Sequence, residues 1–252
     1  SLRCRVHGLR LSVAGAVIVQ IKAGSTVLEV FNFAAAGTMA PLTLRFQPYY
    51  ETAANEALNI NLSGTGAVVS TTAAAVNGLL AARGAITITS GGVTDFAGKT
   101  GNNVALLTGQ TAFAGTTSGT VTNYVVTGSS TPNNAALTPN SVKITTTGAG
   151  QSLNLTGSST MAITSGGLLF VGANDYTISG ASATNTLRSA TATNSDLIIQ
   201  NYGTGVLTIN NVIANGTGTS VLTVAGPGVV NLGGTNTYTG VSQVTGGATL
   251  GI

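Results

Sequence analysis

Charge is what this chain has least of. Of 252 residues, nine are Lys or Arg and six are Asp or Glu, 6% in all. Ordinary soluble domains carry about 25%. Tryptophan is absent, cysteine and histidine occur once each, and methionine occurs twice. Without a supply of Cys and His the chain builds no zinc module and no disulfide framework. With so few Lys and Arg it cannot line a nucleic-acid groove, which needs many cations on one face. The formal net charge of +3 therefore says little about partners. No run approaches the roughly 18 apolar residues that cross a bilayer, and the longest, Val13 to Ile21, is interrupted by Gly15 and Gln20. The opening Ser-Leu-Arg-Cys-Arg follows a strand-like pattern and lacks the plan of a signal peptide. Cys4 has no partner for an internal disulfide and reads as a small buried apolar residue.

What is present points to strands. Hydrophobic residues make up 43% of the chain, which excludes the low-hydrophobicity, high-charge composition of disorder. A chain this long can bury a sizeable core. Val, Ile and Thr are plentiful and suit a pleated surface because they branch at Cβ. Glycine fills 35 positions, about twice its usual share of roughly 7%. Gly and Asn serve tight turns because they tolerate positive φ. The expected class is all-β, with many short strands.

Charge is also distributed unevenly. Residues 1–83 hold Arg3, Arg5, Arg10, Lys22, Glu29, Arg45, Glu51, Glu56 and Arg83. Residues 84–252 hold only Asp95, Lys99, Lys143, Asp175, Arg188 and Asp196, with no net charge. Such a shift marks a domain boundary. It divides the chain into a module at 1–72, a linker or short helix at 73–83 where alanine is abundant, and an arm at 84–252. The first part alternates with period two: Leu9, Leu11 and Val13; Val17, Val19 and Ile21; Leu42, Leu44 and Phe46; Leu58, Ile60 and Leu62. This is the signature of half-buried antiparallel strands. Four or five such strands with short turns predict a small β-sandwich or jelly roll.

Two stretches in this module, residues 9–26 and Tyr49-Tyr-Glu-Thr-Ala-Ala-Asn-Glu-Ala-Leu-Asn-Ile-Asn-Leu-Ser63, resemble a small β-sandwich module of tailed-phage virion proteins. The likeness covers about residues 3–70 and departs at Asn55, where that family has Gly. It implies a role at the virion surface, as a capsid decoration protein, head fibre or tail fibre.

Beyond residue 84 short apolar–polar–apolar triplets recur. They are Ile86-Thr-Ile88, Leu153-Asn-Leu155, Met161-Ala-Ile163, Leu197-Ile-Ile199, Leu207-Thr-Ile209, Leu222-Thr-Val224 and Val230-Asn-Leu232. Gly-, Asn- and Ser-rich turns separate them. This spacing predicts a parallel β-helix, in which no coil buries its apolar face alone and several must stack. The segment Val230-Asn-Leu-Gly-Gly-Thr-Asn-Thr-Tyr-Thr-Gly240, followed by Val244-Thr-Gly-Gly-Ala-Thr-Leu250, resembles the repeat of autotransporter passenger domains. That likeness implies an extracellular β-helical stalk and an adhesive role.

The residues that could carry chemistry are few. Asp95, Asp175 and Asp196 are the only carboxylates of the arm. Glycoside cleavage needs two that face each other, and these are far apart in sequence. They read as solvated or turn carboxylates, with a polysaccharide-degrading tailspike as the enzymatic alternative. Glu51 and Glu56 read as capping or ion-pairing groups, and His7, without a second His, as structural. Gly24-Ser25 and Gly64-Thr-Gly66 are turns, because a phosphate cradle would need a following helix and a Lys. Phe46, Tyr49 and Tyr50 around Pro48 read as packing residues or a sugar platform. Arg3, Arg5 and Arg10 are the candidate partner-contact residues, facing either an acidic patch of a capsid shell or solvent at a guarded sheet edge.

The expectation is therefore a non-enzymatic virion surface protein without metal or cofactor. Its partners would be other virion proteins, its own copies as a homo-oligomer such as a trimer, and a host surface glycan, with no nucleic acid and no membrane insertion. The alternatives are a bacterial cell-surface or secreted adhesin of autotransporter type and the tailspike.

Overall fold

The structure is a computed structural model of residues 1–252. It describes residues 74–252 apart from 81–83, 102, 116–118, 134–135, 158, 181, 183, 191–195 and 217, and within 1–73 it describes ten strands by their backbone pairing. All described regular structure is β. One compact unit comprises Ser1–Thr72 with Thr100–Val104 and Thr245–Gly247, and the other comprises Ala73–Lys99, Ala105–Val244 and Ala248–Ile252.

In the first unit every described strand pairing is antiparallel. Val17–Ala23 lies between Thr26–Phe33 and Leu58–Gly64. The register places Ala23 opposite Thr26 and shifts between Ile21 and Lys22. The closure of these strands into a sandwich or jelly roll lies outside the described residues.

The expected linker or helix over 73–83 is extended where it is described. Ala75–Val76 and Leu79–Leu80 pair as a two-residue hairpin. Its turn is Asn77-Gly78, with φ of 50° and 83°, the positive pair that a type I′ turn requires. Alanine favours helix, but the Asn-Gly turn and the complete burial of Leu79 decide for strand.

Three parallel sheets form the β-helix of the second unit. The seven-stranded sheet runs through Thr111–Ala112, Asn123–Thr127, Ser141–Thr145, Gly167–Phe170, Asp196–Asn201, Val221–Ala225 and Ser242–Val244. The five-stranded sheet holds Gln151–Leu155, Tyr176–Gly180, Leu207–Ile209, Val229–Leu232 and Thr249–Gly251. The four-stranded sheet holds Ala136–Leu137, Thr160–Ile163, Thr186–Ser189 and Val212–Ile213. From Ser141–Thr145 to Val229–Leu232 the chain visits them in that order and then returns to the first. Coil length varies. Val142 pairs with Leu168, Leu168 with Ile199, Ile199 with Val224, and Val224 with Val244, so successive coils take 26, 31, 25 and 20 residues.

Six of the seven triplets are strands of this β-helix, and the outer members of each are buried at 5% exposure or less. They stack in register: Leu153 on Ile178, Ile209 and Leu232, and Met161 on Leu187 and Ile213. The shared alternation within each strand thus gives one continuous apolar column. Each fully buried Leu, Ile or Val contributes about 1.5–3 kcal/mol.

The seventh triplet is a correction. Ile86-Thr-Ile88 enters Thr87–Ser90, which pairs antiparallel with Val93–Thr100, and the parallel ladder starts only at Thr111–Ala112. Leu79, Phe96 and Leu107 from the segment preceding the ladder form a second apolar cluster with Leu169. Leu169 belongs to a strand whose four residues are all buried, so both faces of that strand are covered. Residues 74–80 and 84–99, with Leu107, therefore act as a flap on the outer face of the seven-stranded sheet. Two glycines allow it to seat closely: a Cβ on Gly84 would lie 2.3 Å from Gly167 Cα. The Gln200 Nε2–H donates to Gly84 O at 2.6 Å.

Candidate functional site

The three carboxylates of the arm stand on different elements. Asp95 sits in the flap, and its carboxylate is consumed by packing. It accepts from the Phe96 backbone N–H at 2.7 Å, from Gln110 Nε2 at 2.9 Å and from Lys143 Nζ at 2.5 Å. Lys143 and Asp95 are 12% and 7% exposed, so this pair is largely shielded from water. It joins the flap to the central strand Ser141–Thr145. A buried pair holds its place mainly because breaking it strands the other charge, at about 3–5 kcal/mol. Asp175 is an exposed turn residue whose Oδ1 accepts from the Val206 backbone N–H at 2.8 Å, bridging one coil to the next. Asp196 opens the strand Asp196–Asn201. None of the three pairs with another, and no group of three His, Cys, Asp or Glu among the described residues could hold a metal ion.

Of the candidate contact residues, Arg3 and Arg10 lie outside the described residues. Arg5 lies in Arg5–Val6, whose register puts it opposite Glu51. Cys4, His7, Phe46, Pro48, Tyr49 and Glu56 also lie outside the described residues.

Polar side chains inside the β-helix are structural. Asn201 is fully buried where the column beneath it holds Phe170. Its Nδ2 donates to Gly205 O at 3.0 Å and Val229 O at 2.8 Å, and its Oδ1 accepts from Gly203 N–H at 2.8 Å. Asn185 Nδ2 donates to Ser159 O at 3.2 Å, and Asn211 Nδ2 donates to Asn185 O at 3.2 Å. These amides satisfy turn carbonyls that water cannot reach.

The surfaces left for recognition are the outer faces of the other two sheets. On the five-stranded sheet the outward positions are Ser152 and Asn154, Thr177 and Ser179, Thr208 and Asn210, then Asn231. They form two uncharged ranks with the strand spacing of about 4.8 Å. Within a rank the groups link sideways, as Ser179 Oγ does to Asn154 Oδ1 at 3.4 Å. On the four-stranded sheet Thr160 and Thr186 likewise join through their hydroxyls at 3.2 Å. Arg188 interrupts this neutral face. The alternation Thr186-Leu-Arg-Ser189, with Leu187 and Ser189 buried, turns its side chain outward. Sequence reasoning passed it over, although the same alternation that marks the strand was the available signal.

The repeat-like segment near the C-terminus forms part of a coil. The Asn236 Oδ1 accepts from Ile213 N–H at 2.9 Å, and Thr237 N–H donates to Ile213 O at 2.8 Å. Tyr238 packs against the apolar column. The outer faces thus carry ladders of hydroxyl and amide groups. No protein-family model, no curated protein and no solved structure matches the chain.

Proposed function

We propose that this chain is a non-enzymatic structural protein of the virion surface of a tailed phage, as a capsid decoration protein, head fibre or tail fibre. The module at 1–72, a β-sandwich or jelly roll in this reading, attaches to other virion proteins. The β-helix presents the exposed binding surface, and copies associate as a homo-oligomer, most simply a trimer. The observation that carries the reading is the β-helix itself. Asp95 holds the flap and Asp175 a backbone N–H of the next coil, while the outer faces carry neutral hydroxyl and amide ladders suited to contact rather than catalysis. The likeness of residues 3–70 to phage virion modules supplies the location.

The second reading is a bacterial cell-surface adhesin of autotransporter type. The coil contacts of Asn236, Thr237 and Tyr238 favour it, because they fall on the residues that carry the passenger-repeat likeness.

One experiment separates the two. Phage particles and bacterial envelopes are purified from a host carrying the gene, and peptides of the chain are sought by mass spectrometry. Peptides that co-purify with particles support the first reading. Peptides confined to the outer-membrane fraction overturn it in favour of the second. Sedimentation of the full chain tests the trimer: a species of one chain, 24.8 kDa, overturns it.

A further inference from the structure

Asparagine is a thermolabile residue, most of all before glycine, which has no Cβ to shield its backbone nitrogen. The chain carries this dipeptide twice, at Asn77-Gly78 and Asn215-Gly216. Their surroundings differ. Asn215 Oδ1 accepts from the Ser220 and Thr239 backbone N–H groups, each at 3.0 Å, and its Nδ2 donates to Thr239 Oγ1 at 3.0 Å. The Gly216 N–H donates to Ser220 Oγ at 2.8 Å. Both reacting groups of that pair are therefore held in place. Asn77 and Gly78 are exposed, and the hydrogen bond described at Asn77 uses its backbone carbonyl, not its carboxamide. The two residues form the loop between Val76 and Leu79, so the Gly78 N–H lies outside the hairpin ladder. Asn77 is also the one non-glycine residue at positive φ among the described residues.

The Asn77 carbonyl anchors the start of the flap. It accepts from Asn123 Nδ2 at 2.6 Å, and Asn123 is buried at 7% exposure. Asn123 Oδ1 in turn accepts from Asn140 Nδ2 at 2.7 Å and from Ser141 Oγ at 2.8 Å. This buried polar network ties the turn to the strands Asn123–Thr127 and Ser141–Thr145, next to the fully buried Leu79.

We propose that Asn77 is a self-modification site, at which loss of the side-chain amide converts the residue to isoaspartate and loosens the flap. The Gly78 nitrogen gives its proton to solvent base and attacks Asn77 Cγ. The new N–Cγ bond forms, the Cγ–Nδ2 bond breaks, and ammonia leaves. Water then adds to the former backbone carbonyl of the five-membered imide. The C–N bond there breaks, the main chain continues through Cγ, and that carbonyl becomes a free carboxylate. One water is consumed, one ammonia is released, and nothing is oxidised or reduced. The main chain gains a methylene in a two-residue loop whose closure needs positive φ at both positions. The net charge of +3 falls by one. The group that met Asn123 no longer belongs to the main chain, so the hairpin loses both its register and its anchor. The modification does not depend on whether the chain is displayed on a virion or on a cell, and its failure would leave the particle-association test untouched.

The test ages the full chain in mildly alkaline buffer. Peptides spanning residues 77 and 215 are read by mass spectrometry, and labelling with an isoaspartyl methyltransferase locates isoaspartate. Asn77 should convert at least about tenfold faster than Asn215, which reacts only after local opening. In limited proteolysis the fraction carrying isoaspartate at position 77 should be cut within residues 84–99 before the unmodified fraction. Asn77→Gly keeps positive φ without an amide, so it should age with no isoaspartate in that loop and no change in flap cleavage. Freshly prepared Asn77→Asp carries the charge without the added methylene and should be cut at the wild-type rate. Conversion of Asn77 no faster than that of Asn215 overturns the proposal. So does a modified fraction whose flap is cut no sooner than the unmodified one. A fresh Asn77→Asp cut as fast as the modified fraction assigns the loosening to charge alone and also overturns it.

Discussion

Tyr176 shows how one buried side chain links the interior to pH. Its ring lies 6.1 Å from that of Phe170, and its hydroxyl donates to Gly128 O at 2.9 Å. Burial pushes the phenol pKa well above its ordinary value of about 10, because the phenolate would lose hydration without gaining a cation. The unfolded chain therefore releases this proton at a lower pH than the folded one. The associated stability is fully present below about pH 10 and falls as pH rises from there toward the folded value. Thermal melts of the wild type and Tyr176→Phe across that range check this. The variant should lose about 1–2 kcal/mol at neutral pH, because Gly128 O is left unsatisfied. Its alkaline decline should be shallower. Parallel declines in the two proteins would show that Tyr176 does not govern the alkaline limb.

At the scale of elements, the flap is the part whose attachment rests on identifiable contacts. Leu79, Phe96 and Leu107 supply its apolar contact, Asp95 its ion pair to Lys143, and Gly84 its closest approach. A methyl on Gly84 would collide with Gly167 backbone, which cannot rotate away. Gly84→Ala should therefore cost about 2–4 kcal/mol and make residues 84–99 the first region cut in limited proteolysis. Gly148→Ala, where an added Cβ meets nothing within 4 Å, should leave both stability and cleavage unchanged. Cleavage of the Gly84 variant at the wild-type rate would show that the flap is held some other way. The flap also explains why Gly167–Phe170 is apolar on both faces: the strand is an internal layer, not a half-exposed one.

Over the whole molecule, scarcity of charge becomes a statement about what stabilises the β-helix. Residues 84–252 contain six charged side chains. The one ion pair described among them is shielded, where salt screens little. The rest of the stability comes from stacked apolar side chains and backbone ladders, neither of which depends on ionic strength through screening. The unfolding transition of the β-helix should therefore move by less than about 2 °C between about 50 mM and about 500 mM sodium chloride. A shift of more than about 5 °C would mean that surface charge governs stability after all.

Much of this was legible in the residues. Leu153-Asn-Leu155, Leu207-Thr-Ile209 and their counterparts carry period two in runs too short for any other element, and separate themselves with Gly and Asn. A chain that alternates so briefly and repeats so often can bury its apolar side chains only by stacking coils. Ile86-Thr-Ile88 has the same local pattern yet lies in the flap, because a triplet specifies a strand without specifying its neighbour. The alanines around residue 75 spoke for helix, and only the Asn77-Gly78 turn argued otherwise.

Arg188 makes the division plain. The sequence by itself determined that this residue faces outward, since a strand alternates and its neighbours are apolar or small. Only the tertiary structure decided that no acid meets it, because its neighbours across the sheet come from residues 26 positions away along the chain. The same holds for Asp95 and Lys143, 48 residues apart. Local chemistry fixes the strand and its two faces. The number of residues in each coil fixes which side chains become neighbours, and those lengths, 26, 31, 25 and 20, follow no period a sequence displays.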